Sequence, residues 1–217
     1  MSVFPIFLKL AGRRVLVVGG GPVAASKLRA LIDAGASVTV VAPEITREIA
    51  ETAGGQLEIM RRRFVREDLD GVSFVVAAAP PEVNREVSVA AHARGLFVNA
   101  VDDMDNASAY MGAIVRRAGV TMALSTDGEA PALAGLMREA LEALLPDDLE
   151  TWMASARETR RDWLARGVPM AERRPLLLEA LVNLYERRAP RPKEEAEARV
   201  PFDEHRAAEN DQEPVRT

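Results

Sequence analysis

Cysteine is missing altogether from this 217-residue chain, and histidine occurs only as His92 and His205. The first absence excludes disulfides, thiolate metal sites, iron–sulfur clusters and a cysteine nucleophile. The second leaves little imidazole for a metal centre, so no resident metal is expected. Aromatic residues make up only 5% of the chain and nowhere interleave with a basic face, which argues against nucleic acid as a partner. No apolar run approaches the roughly eighteen residues of a membrane span. Met1 to Leu10 lacks the basic start and long apolar stretch of a signal peptide. A cytoplasmic protein without a membrane partner is expected.

What is present is an ordinary globular balance, 48% hydrophobic and 28% charged, with enough length for one main core and a smaller annex. The net charge of −5 is unevenly spread. Residues 189–217 hold five basic residues, eight acidic residues and four prolines with almost no large apolar side chain, the composition of a disordered acidic tail. Truncation after Arg188 is expected to cost little.

Arg14 to Val18 (RVLVV) is a short apolar run without alternation, closed by Gly19-Gly20-Gly21, as in a parallel strand covered on both faces. Val23, Ala24, Leu28, Leu31 and Ile32 then recur at helical spacing up to Gly35, and Ser37 to Val41 is a second β-branched strand. The rhythm continues with a helix from Thr46 to Ala53, strands at Leu57 to Met60 and Ser73 to Ala78, a helix from Glu82 to Arg94 and a strand from Phe97 to Ala100. The fold class is therefore α/β, a Rossmann-like doubly wound parallel sheet. Two strands without an intervening helix follow, Ala109 to Arg116 and Val120 to Ser125, then helices at Pro131 to Leu145, Leu149 to Arg166 and Met170 to Arg188. The organisation expected is a nucleotide-binding domain over 1–108, a small α+β segment over 109–146, a C-terminal helical domain over 147–188 and the tail over 189–217.

The glycine run supplies the first chemistry. Gly19, Gly21 and Ala24 fit GxGxxA after a strand and at the start of a helix, where the first glycine permits a tight turn and the second lets backbone approach a pyrophosphate. The small third residue packs helix on strand, and the free amides of the first turn, around Val23 and Ala24, face the anion. Pro22 presets that turn. The second strand ends at Pro43-Glu44, with Glu44 displaced past the usual ribose-binding acid and no arginine directly after the strand, which favours NAD over NADP. The backbone around Pro43 is an alternative ribose contact.

The order of several segments goes further: Pro5-Ile6-Phe7 and Leu10, Val17 to Gly21 with Val23-Ala24 and Lys27, Asn99-Ala100-Val101-Asp102, then Ser125-Thr126-Asp127-Gly128 leading to Pro131-Ala132-Leu133-Ala134 and Arg138-Glu139. Together they resemble the precorrin-2 dehydrogenase / sirohydrochlorin ferrochelatase family, the N-terminal module of bacterial sirohaem synthase, over roughly residues 2–188. The resemblance implies NAD-dependent oxidation of precorrin-2 to sirohydrochlorin and, in many relatives, insertion of ferrous iron. It also implies a homodimer joined through the 109–146 segment, making this a dimerisation segment. The methyltransferase module that some members carry downstream is not expected.

By the same resemblance Asp102 is the acid/base group, able to accept the proton that accompanies hydride removal. Asn99 either orients its loop or contacts the cofactor. Relatives carry a small polar residue before Asn84, where this chain reads Ala77-Ala78-Ala79-Pro80-Pro81, leaving backbone contact through Ala78 and Ala79. Ser125, Thr126 and Gly128 match the family loop expected to receive the carboxylates of the tetrapyrrole substrate, with Arg116, Arg117 and Arg138 as further candidates. His92, expected in the middle of its helix, is assigned no role.

Two other classes remain in view. A Rossmann domain can serve as a non-catalytic NAD-sensing module. A short-chain oxidoreductase is disfavoured, because Tyr110 and Tyr185 are followed four residues on by Ile114 and Ala189 instead of lysine.

Overall fold

β1 (Arg14–Val18) forms the middle of the sheet because it is apolar on both sides: Val15 and Val17 pack into one core, Leu16 and Val18 into the other. The computed structural model describes residues 3–52 and 55–186, with side chains to residue 178. The remaining elements are α1 (Pro22–Asp33), β2 (Ser37–Val41), α2 (Arg47–Thr52), β3 (Leu57–Met60), β4 (Phe74–Ala77), α3 (Pro81–His92), β5 (Val98–Ala100), β6 (Ala113–Arg117), β7 (Val120–Leu124), α4 (Pro131–Leu144), α5 (Leu149–Ala165) and α6 (Met170–Glu186). The proline-rich acidic segment expected from residue 189 lies outside the described residues, as do the last two residues of the expected final helix.

All pairings in the large sheet are parallel, in the order β3-β2-β1-β4-β5. The chain runs outward from β1 to β3, returns, and runs outward again through β4 and β5, so the order reverses between β1 and β4. Open α/β sheets bind ligands outside the carboxyl ends of the strands at such a point. Leu28 and Leu31 of α1 and Ile49 of α2 cover one face, and Val87 and Ala91 of α3 cover the other. Each of the leucine, isoleucine and valine side chains contributes about 1.5–3 kcal/mol by leaving water.

α1 opens at Gly21 with Pro22 in its first turn and closes at Gly35, whose φ of 77° is left-handed. There the Gly35 amide donates to Ile32 O (2.8 Å) and the Ala36 amide to Leu31 O (3.1 Å), satisfying carbonyls that the helix end would leave bare.

Two placements depart from the sequence expectation. β6 begins at Ala113, not Ala109, because residues 108 and 109 are held beside β5: their amides donate to Val98 O at 2.9 and 3.0 Å. His92 is the exposed last residue of α3 and not a mid-helix residue. A 3₁₀ turn at Arg66–Leu69, for which no expectation was made, closes the approach to β4.

That turn carries a pH dependence. Asp68 accepts Nη1 of Arg62 (2.8 Å) and the Val65 amide (2.9 Å). Burial raises its carboxyl, but the Arg62 and Val65 hydrogen bonds and the Arg62 charge outweigh burial and hold it below the usual carboxylate range. The stability this provides is complete above the unfolded value of about 4 and is lost as pH falls through the folded value. Asp68→Asn is expected to lower Tm by a few degrees at pH 7, with the gap to the parent shrinking below about pH 4 in thermal melts. A gap that stays constant with pH would remove the assignment.

The chain divides into two compact units that part between Asp147 and Asp148. In the first, the antiparallel pair β6–β7 is backed by α4. In the second, α5 packs with α6, Asp148 accepts the indole N–H of Trp152 at 3.1 Å, and the Arg173 guanidinium donates to Val168 O at 2.8 Å. Among the described residues no helix is long and apolar enough to cross a membrane.

Candidate active site

The glycine loop leaves β1 at the point where the strand order reverses, and the segments that follow β2 and β4 fix its path. The Gly19 amide donates to Val41 O (3.0 Å) at the end of β2, and Gly19 has φ 126°, which side chains rarely adopt. A Cβ there would strike the Ala78 carbonyl just past β4. A Cβ on Gly20 would strike the Glu44 carbonyl, while Gly20 O accepts the Thr46 amide at 2.8 Å. Gly21 is different: a Cβ there meets nothing within 4 Å. The loop is thus packed against protein at Gly19 and Gly20 and open at Gly21.

α1 begins at this opening. Its first internal hydrogen bond is Ala25 N–H to Gly21 O (3.0 Å), so the amides of Val23 and Ala24 precede the helical ladder and remain available to an anion. The open space at Gly21 and these amides fit the diphosphate of a dinucleotide. Pro43 and Glu44 are exposed beside the loop, with the Glu44 backbone against Gly20. Ala78 and Ala79 stand at the end of β4, but the Ala79 amide already donates to Asn84 Oδ1 at 2.9 Å. Asn84, 3% exposed, is therefore a structural tie, and backbone contact at Ala79 is left to its carbonyl.

A cavity of about 500 Å³ opens at the same carboxyl edge of the sheet, beyond β5. Its wall includes Asn99, Asp102, Ser125, Thr126 and Gly128, residues that lie up to 29 positions apart in sequence, and also Lys27 from α1. The stretch after β5 shapes it. Asp102 has φ 57° in the left-handed region, where aspartate is tolerated better than most residues. Its neighbour Asp103 is committed to the loop, accepting the Asn106 side-chain amide at 2.8 Å and the Asn106 backbone amide at 3.2 Å. The Asp102 carboxylate has no hydrogen bond or ion pair among the described residues and is exposed.

Asn99 is buried and donates through Nδ2 to Ala109 O at 3.0 Å, which ties the following loop to β5; its Oδ1 has no partner among the described residues. On the opposite wall, Ser125 Oγ accepts the Asp127 amide (3.1 Å) and Thr126 Oγ1 accepts the Ala130 amide (3.2 Å). Asp127 and Gly128 both have positive φ, 51° and 81°, so the loop turns tightly before α4.

The three arginines do not reach this cavity. Arg117 donates to Leu145 O and Asp147, Arg138 pairs with Glu139 and Glu142 along α4, and Arg116 is exposed on β6. The basic residue on the wall is Lys27, to which the sequence reading gave no role. Among the described residues no group of three or more His, Cys, Asp or Glu could hold a metal ion.

Residues 6–113 match the family described as "Putative NAD(P)-binding". The chain is 45% identical to siroheme synthase 3 of Aeromonas hydrophila over 176 residues, which is 80% of this chain and 38% of that protein. It is 43% identical to the siroheme synthase of Photorhabdus laumondii over the same length, 37% of that protein. It therefore spans under two fifths of these curated relatives. Among solved structures it is similar to SirC, a precorrin-2 dehydrogenase, with TM-score 0.70 and 31% identity, covering 84% of this chain and 92% of that one.

Proposed function

The chain belongs to the precorrin-2 dehydrogenase family, and from that membership we propose that it oxidises precorrin-2 to sirohydrochlorin with NAD. The observation that carries this reading is that the glycine loop, open at Gly21, and the cavity wall bearing Asp102 occupy one carboxyl edge of the sheet. Gly21 and the amides of Val23 and Ala24 receive the diphosphate, with Gly19 and Pro22 shaping the loop around it, Pro43 and Glu44 flank the ribose, and Ala78, Ala79 and Asn99 border the remainder of the cofactor. When bound, NAD would supply the two-electron acceptor for the hydride that the macrocycle loses.

The accompanying proton goes to the Asp102 carboxylate, which has no hydrogen bond or ion pair among the described residues. Asp103, held by Asn106, fixes the backbone that presents Asp102. Ser125, Thr126 and Gly128 receive substrate carboxylates on the facing loop. Ferrous iron, as a second substrate, would enter the product macrocycle with loss of two pyrrole protons, which the exposed Asp102 carboxylate would take one at a time, passing each to solvent before the next. A homodimer goes with this reading, since Leu133, Leu136 and Leu144 are exposed on α4 beside β6–β7. The reaction is assigned to the cytoplasm.

The test is an anaerobic absorption time course with precorrin-2, with and without NAD and with and without ferrous iron. NAD-dependent formation of sirohydrochlorin is expected, and an iron-dependent change above the spontaneous rate would add chelation. NAD binding without any conversion would instead favour a sensing module.

A further inference from the structure

Lys27 is the sixth residue of α1, three residues beyond the buried Ala24 and one before the buried Leu28, and it is itself only half-exposed. Helical side chains lean toward the helix N-terminus. A long side chain at this position therefore runs back toward the glycine loop and the carboxyl edge of the sheet, and Lys27 indeed lines the cavity with Asn99, Asp102, Ser125 and Thr126. Among the described residues on that wall it is the one cation. It has no hydrogen bond and no ion pair among the described residues.

Lys27 is partly covered as a residue, lines the cavity and meets no counter-charge there, which leaves its ammonium to an anion that arrives with a ligand. The two carboxylates on the wall do not serve: Asp103 is engaged by Asn106, and neither it nor Asp102 makes an ion pair with Lys27. The arginines that sequence suggested for an anionic substrate are turned elsewhere. Resting on the tetrapyrrole reading above, we infer that Lys27 binds a carboxylate side chain of the macrocycle and so sets which edge of the ring faces Asp102. Lysine suits this task, being a flexible point charge that can follow a carboxylate on its own flexible arm.

The experiment measures sirohydrochlorin affinity by fluorescence titration at low and high salt, NAD affinity, and kcat and KM for precorrin-2, on the full chain. The variants are Lys27→Met, which keeps the apolar stem, Lys27→Gln and Lys27→Arg. Lys27→Met and Lys27→Gln are expected to weaken sirohydrochlorin binding and raise KM about tenfold, to flatten the salt dependence, and to leave NAD affinity within about twofold, with Lys27→Arg restoring most of the loss. Unchanged tetrapyrrole affinity in both neutral variants overturns the inference, as does a loss confined to NAD, which would give the lysine to the cofactor. Lys27-dependent tetrapyrrole binding by a wild-type chain that fails to oxidise precorrin-2 would support the inference while removing the dehydrogenase reading. Oxidation that proceeds with unaltered KM in the neutral variants would do the reverse. A wild-type chain that binds no sirohydrochlorin overturns both.

Discussion

Asp102→Asn is expected to slow precorrin-2 oxidation by about 10²–10⁴-fold, the range for loss of a positioned general base, while NAD affinity and Tm stay near those of the parent. The substitution is close to isosteric, and its backbone demand is met: at φ 57° asparagine is tolerated at least as well as aspartate, whereas alanine would add strain of about 1–2 kcal/mol. What changes is the ability to take a proton. No hydrogen bond or ion pair of Asp102 is broken among the described residues, so no structural route leads from this change to a loss of rate. Asp103→Asn provides the contrast. It weakens a carboxylate that accepts both amides of Asn106, and its effect should fall on the placement of the loop, seen as lower Tm and higher KM. Full-rate oxidation by Asp102→Asn, followed by stopped-flow absorption, would remove the acid/base assignment.

The doubly wound sheet was legible because each strand is a short apolar run and each helix has its own period and stop. RVLVV, closed by glycines and followed by a helical period, fits a strand buried on both faces in the middle of a parallel sheet, and it is one. The glycine loop was legible in part. GxGxxA points to Gly19 and Gly21, but Gly20 occupies a position that the pattern leaves free, and its need for glycine comes from the Glu44 carbonyl, 24 residues away. No local pattern contains that contact. The start of β6 was misplaced for the same reason, since residues 108 and 109 are captured by Val98 and Asn99 across ten positions. Lys27 reads in sequence as a solvated lysine on a helix whose buried face is Ala24, Ala25, Leu28 and Leu31. Only the approach of the loop after β5 and the turn before α4 makes it part of a cavity wall. Two of the arginines differ in the opposite sense: their charge suits the substrate, but Arg138 is engaged by Glu139 and Glu142 and Arg117 by Leu145 O and Asp147.

Gly21→Asp is expected to weaken NAD binding by about 10²-fold or more while Tm holds or rises slightly. Gly21 is the N-cap of α1, with φ −84° and ψ −176°, an extended conformation open to any residue, and a Cβ there meets no atom within 4 Å. Aspartate is moreover a better N-cap than glycine by a few tenths of a kcal/mol, because its carboxylate can accept an amide of the first turn. That amide is one the diphosphate would otherwise receive, and the new charge stands against the phosphates. At about 4 Å and an effective dielectric near 20, each like-charge pair costs roughly 4 kcal/mol before screening, so about 10²-fold, or 2.7 kcal/mol, is a conservative expectation. Two alanine variants separate fold from binding. Gly21→Ala should fold normally and bind NAD less tightly, whereas Gly20→Ala should lose stability, since its Cβ is driven into the Glu44 carbonyl. A Gly21→Asp chain that binds NAD with parental affinity in calorimetric titration would place the cofactor elsewhere, whatever its melting temperature. Rising stability with vanishing affinity is the opposite of what a general packing defect produces, and it would tie the open space at Gly21 to the ligand.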